Sequence, residues 1–281
     1  MIRETWALTA RELKHWYRVK IQIFMTLIQP IVWLGLFGQA FQLNKLFPTP
    51  GSIPGVPGLD FSSMFAGASD YFSYMAVGML AVIALFTTMF GGMSIVWDRR
   101  FGFLNKLRAA PIPRGAIPIS RIAASVVRSM VQVVIILIIA LLFTYIPGLT
   151  GLTVSPAFNV VDLIGLFVVM LLLSVAFASL FTTIALAVQN QETLFGVINL
   201  LNLPLMFASA ALFPTSMMPD WLRTVANYNP LTLAVDAART FVFHNPHPLY
   251  DVWVDIAGLA ILAGFLVAVS VALSKRLTSS K

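Results

Sequence analysis

Six stretches of about 20 predominantly apolar residues dominate this sequence, each the length a helix needs to cross a ~30 Å hydrocarbon layer. In lipid no water is at hand for backbone N–H and C=O groups, so a chain built this way must satisfy them internally, as helices. The expected fold class is therefore all-α integral membrane, one transmembrane domain over residues 1–281 with spans at about 21–41, 72–97, 116–146, 160–188, 193–213 and 254–273. Of the 281 residues 59% are hydrophobic and 10% charged, against about a quarter charged in a soluble domain, so water is not the main solvent. The chain has no cysteine, which excludes disulfides, thiol catalysis and Cys-ligated metals and leaves the redox compartment open.

Residues 1–20 carry Arg3, Glu4, Arg11, Glu12, Lys14, Arg18 and Lys20, too long and too charged a segment for the leader of a cleaved signal peptide, and are expected to be retained. Trp6, Ala10, Leu13 and Tyr17 share one helical face, the pattern of a helix lying in the membrane interface; a solvated helix that packs on nothing is the alternative. Pro30 inside the first run is tolerable where neighbouring helices satisfy the freed carbonyl. The next segment, with Pro48, Pro50, Gly51, Pro54, Gly55, Pro57 and Gly58, sustains neither a helix nor a central strand. Only Gln189 to Glu192 separate the fourth and fifth runs, predicting a tight antiparallel hairpin. Residues 214–253 are apolar but broken by Pro214, Pro219, Pro230, Pro246 and Pro248, so short helices are expected, one starting at the cap pair Asn229 and Pro230. Such a segment either dips into the bilayer where protein buries it or rests on the outer surface.

The net charge of +7 would point to nucleic acid in a soluble protein, but here the basic residues flank apolar runs. With Arg121 and Arg128 counted beside the 98–115 connection, fifteen of the 18 Lys and Arg fall on one side of a six-span arrangement. This positive-inside bias predicts both termini in the cytoplasm and an even number of spans.

Catalytic motifs are missing. No G-x-x-x-x-G-K-[ST] phosphate loop occurs, nor H-E-x-x-H or G-x-S-x-G, so ATP, if used, must be hydrolysed on another subunit. Asp251 and Asp255, one turn apart, could hold a cation or simply cap and solvate a helix start, the better reading. Ionisable groups are almost absent within the spans, against a proton pump or ion-coupled carrier. Arg121, Arg128 and Gln132 share one face of the third run, where snorkelling to lipid phosphates accounts for both arginines. Met75, Met79, Phe86 and Met93 form a polarisable stripe that suits varied apolar ligands, although ordinary packing is the better reading. Asn199 and Asn202, ahead of Pro204, should face protein or a wet cavity, as helix-to-helix bonds or substrate contacts. Between the second and third runs, Phe103, Leu104, Leu107 and Ala110 line one side of a short helix whose other side carries Arg99, Lys106 and Arg108, stopped by Pro111 and Pro113. It either docks a soluble partner or adheres to anionic lipid.

These features together resemble the membrane subunit of type-2 ABC exporters, a group of drug, lipid and polysaccharide export permeases. The resemblance covers essentially the whole chain. Its sharper motifs are Gly102-Phe103-Leu104 through Leu107, Pro111, Pro113 and Arg114; Leu212-Phe213-Pro214 through Met218-Pro219-Asp220-Trp221-Leu222; then Asn229-Pro230-Leu231 and Asp236 to Arg239. Asp98, Arg99 and Arg100 stand where the family often has an acidic pair.

The resemblance implies two six-span subunits, a second copy or a paralogue, above two cytoplasmic ABC ATP-binding subunits in the plasma membrane. ATP and Mg would sit on those partners and no cofactor on this chain. Residues 98–114 would be the coupling segment, with Arg99, Arg100, Phe101, Phe103, Leu104, Leu107, Arg108 and Pro111 meeting the ATPase and residues 1–20 bracing the joint. Met75, Met79, Phe86, Met93, Asn199 and Asn202 would lie near the translocation path at a dimer seam made by the second and fifth spans. Pro214, Pro219, Trp221, Asn229, Asp236 and Arg239 would form the extracellular gate, and membrane lipid would be a further partner, nucleic acid not. The implied function is ATP-driven export of an amphipathic small molecule or lipid. A polysaccharide export permease, an ion channel or ion-coupled carrier, and a membrane enzyme acting on lipid are the competing readings.

Overall fold

The computed structural model describes residues 2–41, 52–53, 56–57, 61–100, 113, 115–188 and 190–279. In chain order the helices are α1 (Ile2–Arg18), α2 (Lys20–Ala40), α3 (Phe61–Met64), α4 (Tyr71–Arg100), α5 (Ala116–Leu142), α6 (Val160–Ala187), α7 (Gln191–Phe207), α8 (Asp220–Asn227), α9 (Pro230–Val242) and α10 (Val252–Ser279). A two-residue antiparallel ladder, Ser52–Ile53 with Val56–Pro57, precedes α3. Among the described residues α2, α4, α5, α6 and α10 are long and apolar enough to cross a membrane. The protein is thus an all-helical, multi-pass membrane protein.

The helices are not equivalent. α4 is the axis, packed by α2, α5, α6 and α9, and 89% of its apolar window is buried inside the chain, against 17% for α10. Glycines let α4 run this close to its neighbours, Gly92 against Phe181 of α6 among them. A Cβ on Gly78 would collide with the Ala211 carbonyl oxygen, and one on Gly91 with the Ser125 hydroxyl of α5. α10 leans on α6 and α9 and leaves Trp253, Ile261 and Phe265 outward.

Local signals place most helix ends where the sequence puts them. Pro30 sits inside an unbroken α2. Asn159 and Asp162 close a reciprocal capping box at the start of α6. Asn229 accepts from the Leu231 N–H with Pro230 at the first turn of α9, as expected. Against the same expectations, the fifth run stops as a helix at Phe207 and the next residues turn back on α4. Pro204 supplies no N–H. The Asn229 amide donates to the carbonyls of Leu205 (2.8 Å) and Ala208 (2.6 Å), capping the end of α7. Ala210 and Leu212 then accept the hydroxyls of Tyr74 (2.8 Å) and Tyr71 (3.1 Å). Nor do α6 and α7 lie along one another as a tight hairpin; α7 touches α4 and α6 only lightly. α9 lies among α4, α6 and α10, with Leu231, Ala234, Val235 and Ala238 fully buried, so the protein covers it as a dipping segment requires.

α1 turns Thr9 and Glu12 toward α5 and leaves Trp6 and Tyr17 exposed. Its aromatic face therefore points away from the protein.

Candidate functional site

Two polar clusters sit at opposite ends of the bundle. At the basic end Arg121 is the hub. Its guanidinium pairs with Glu12 of α1 and with Asp98 near the end of α4, and donates to the Ser94 hydroxyl at 3.1 Å. Arg11 approaches Asp98 at 3.8 Å, and the Thr9 hydroxyl lies 3.3 Å from the Ser120 carbonyl. Three elements distant in sequence are tied together at the point where the chain leaves α4.

A polar seam continues down α5. Arg128 donates to the Ala124 carbonyl (3.2 Å) and the Ser125 hydroxyl (3.3 Å), and Ser129 bonds Ser174 of α6 at 2.8 Å. Gln132 accepts from Thr87 of α4 and donates to Thr26 of α2 at 2.6 Å. The shared face expected of Arg121, Arg128 and Gln132 is real, but snorkelling is not: the two arginines are 4% and 6% exposed. They turn inward because Glu12, Asp98 and the small Gly91 leave charge and room inside.

At the opposite end α9 carries Asp236 and Arg239. The Arg239 guanidinium lies 3.5 Å from the Tyr74 ring centroid and donates to the Tyr74 and Ala210 carbonyls, each at 3.0 Å. Asp236 accepts from the N–H groups of Leu249 (2.7 Å) and Tyr250 (3.0 Å), fixing the segment that leads into α10. Burial pushes the Asp236 carboxyl up, opposed by those N–H groups and by Arg239. Burial pushes the Arg239 guanidinium down, opposed by Tyr74 and Asp236. Asp255, fully buried in the first turn of α10, lies beside Asp236, and among the described residues neither of its carboxylate oxygens has a hydrogen-bond partner. Surface solvation is thus the wrong reading for Asp255, while Asp251 does cap α10 through the Trp253 N–H.

The remaining candidates separate cleanly. Met75, Met79, Phe86 and Met93 are all buried within the chain, because α4 is surrounded on every side. Their burial agrees with ordinary packing, the better of the two readings of the stripe. Asn199 is exposed on α7. Asn202 is buried with its Oδ1 unpartnered. Of the gate residues, Asn229, Asp236, Arg239 and Pro214 lie inside, whereas Pro219 and Trp221 face outward. Phe101, Phe103, Leu104, Leu107, Arg108 and Pro111 fall outside the described residues, and of Arg99 and Arg100 only the backbone, the last two positions of α4, is described.

Sequence reasoning missed Glu12, Asp98, Tyr74 and Asp255 as partners. Asp98 carried a signal, since it is a lone acid at the head of a basic segment. Glu12, within a helix of mixed charge, did not.

The ABC-2 type transporter family model matches residues 3–243. Similar curated proteins include the putative transport permease ycf38 of Cyanophora paradoxa, 30% identical across 87% of this chain and 76% of that protein, and its counterpart in Porphyra purpurea, 27% identical across 87% and 75%. The probable doxorubicin resistance ABC transporter permease protein DrrC of Mycobacterium tuberculosis is 25% identical across 70% of this chain and 68% of its own length. With six apolar runs in the sequence, a buried axial helix, and a family match over most of the chain, this protein belongs to the ABC-2 type transporter family as a permease.

Proposed function

We propose that this permease forms, with a second copy or a paralogue, the membrane pathway of an exporter driven by a separate ATP-binding subunit. The observation that carries the reading is the Arg121 hub. It joins α1, the end of α4 and α5 just where residues 98–114 begin, so a push on that segment reaches three helices at once. Phe103, Leu104 and Leu107 supply the apolar anchors of a docking helix and Arg99, Arg100 and Arg108 its charged surround, with Pro111 ending it. ATP and Mg belong to the partner. The basic end is cytoplasmic in this reading, by the positive-inside bias, and the membrane is the plasma membrane.

The seam between subunits is assigned to α7 alone. It exposes Leu200, Leu203 and Phe207 beside Asn199, and an amide in hydrocarbon calls for a partner that bonds it. The substrate class we infer is an amphipathic small molecule or lipid, in keeping with the doxorubicin named for one relative and with an apolar seam. The burial of the methionine stripe removes one support for that choice and leaves α7 with Asn199 as the path-facing candidate. Export follows if the ligand binds the inward-facing state better than the outward one.

Affinity purification from native membranes tests this, with co-purifying proteins identified and ATPase measured. A P-loop subunit is expected to co-purify, and to be lost with Phe103→Asp and Leu107→Asp. Recovery of the chain alone from intact complexes, without ATPase, would overturn the proposal.

A further inference from the structure

The short helix α8 (Asp220–Asn227) divides around its axis into three sectors. At about 100° per residue Leu222 and Ala226 fall together, and this sector turns into the protein, with Ala226 fully buried. Asp220, Arg223 and Thr224 make a second, exposed sector, Arg223 lying 3.5 Å from Asp220. Its charges belong in water. The third sector carries Trp221, Val225 and Tyr228, stacked along one side at spacings of four and three and exposed by 71%, 54% and 80%. No described residue of the chain covers it.

Protein on one side, water on another and an open apolar side between them is the partition of a helix lying where hydrocarbon meets water. The placing of Trp and Tyr says which medium takes the open side. Toward the basic end the exposed ones are Trp6, Tyr17 and Trp97; toward the other they are Tyr145 just past α5, Trp253 at the start of α10, and the pair on α8. Exposed large apolar residues in mid-span are of other types, as Val131, Leu171, Leu200 and Ile261 show. A ring with an apolar body and a polar tip is favoured at the headgroup level, so this sorting follows the two surfaces of a bilayer. Contact with a second copy would not restrict Trp and Tyr to the ends of unrelated helices. We propose that α8 lies in the membrane plane with Trp221, Val225 and Tyr228 among the phospholipid headgroups at the end opposite the basic one. Trp221 is then a lipid anchor rather than a gate residue. Because Asn229 follows at once and caps α7, lipid bound at α8 holds the corner between α7 and α9 at the membrane surface. The proposal stands apart from the export reading, because it needs neither an ATPase nor a given orientation.

The chain has no cysteine, so single nitroxide labels can be placed without background, and collision with oxygen or with a water-soluble nickel chelate reads their surroundings. Full-length chains carrying Trp221→Cys, Val225→Cys, Tyr228→Cys, Arg223→Cys or Thr224→Cys are labelled and reconstituted in phosphatidylcholine vesicles, with Phe265→Cys on the outward side of α10 as the mid-bilayer reference. All six positions are exposed or at the surface of the fold, and a variant is scored only if it keeps the unfolding midpoint of the parent chain. The oxygen-to-nickel collision ratio is expected to be several-fold higher at positions 221, 225 and 228 than at 223 and 224, and lower than at 265. Equal ratios at all five positions of α8 would overturn the proposal, since the helix would then stand in water. Exclusion of both reagents from 221, 225 and 228 would overturn it too, because a second copy or another protein would then cover the apolar sector.

Discussion

The two ends of the bundle each bury an arginine, and they treat it in opposite ways. Arg121 is held by two carboxylates from α1 and α4, whereas Arg239 is held by two carbonyls and the face of Tyr74. Coulomb attraction falls slowly with distance, so an ion-paired hub keeps much of its energy when its partners shift by an ångström. Hydrogen bonds to fixed carbonyls do not, because they weaken steeply with misalignment. The basic end is therefore built as a joint and the opposite end as a weld. That division suits a permease that receives force at one end.

Substitutions at the weld should have the largest effect. Arg239→Met leaves the buried Tyr74 and Ala210 carbonyls without their donor and the Tyr74 ring without its cation, and is expected to cost about 3 kcal/mol, read from unfolding curves in detergent. A loss well under 1 kcal/mol would mean that the weld does not hold. Next come the glycines of α4. Gly78→Ala meets the Ala211 backbone and should cost about 2 kcal/mol, while Gly91→Ala meets the Ser125 side chain, whose hydroxyl can rotate although its Cβ cannot, and should cost about 1.5 kcal/mol. Equal costs would erase the contrast between the ends.

At the joint, Glu12→Gln keeps the shape and removes one charge from the hub. It should destabilise the fold by only about 1 kcal/mol, because Asp98 still pairs with Arg121, yet lower the transport obtained per ATP hydrolysed in reconstituted vesicles. An unchanged ratio would leave the hub as structure alone. The smallest effect concerns pH. Burial raises the Asp236 pKa above its unfolded value, so its contribution to stability is fully present below the ordinary carboxylate range and is lost as pH rises through the raised value. Asp236→Asn should flatten that part of the midpoint-versus-pH curve, and an unaltered curve would place the dependence elsewhere.

Some of this was legible in the residues themselves. Asn229 and Pro230 announced the start of α9, because capping and a first-turn proline are local chemistry. The common face of Arg121, Arg128 and Gln132 was legible too, since helical periodicity fixes which residues look the same way. Where they look was not. Met75, Met79 and Met93 read as core more readily than as a ligand-facing stripe, and the packing of four helices around α4 makes them core.

The sequence by itself determined the solvent, the helical class and the basic end, because lipid demands long apolar runs and topology is written in Lys and Arg between them. Tertiary structure alone decided that Arg121 and Arg128 turn inward, that α7 ends at Phe207, and that Asp255 meets Asp236. The physical reason is common to all three. Hydrophobicity and periodicity describe one helix and its solvent, whereas a buried charge is settled by the partner that another part of the chain brings within hydrogen-bonding distance, and no local pattern records which part that will be.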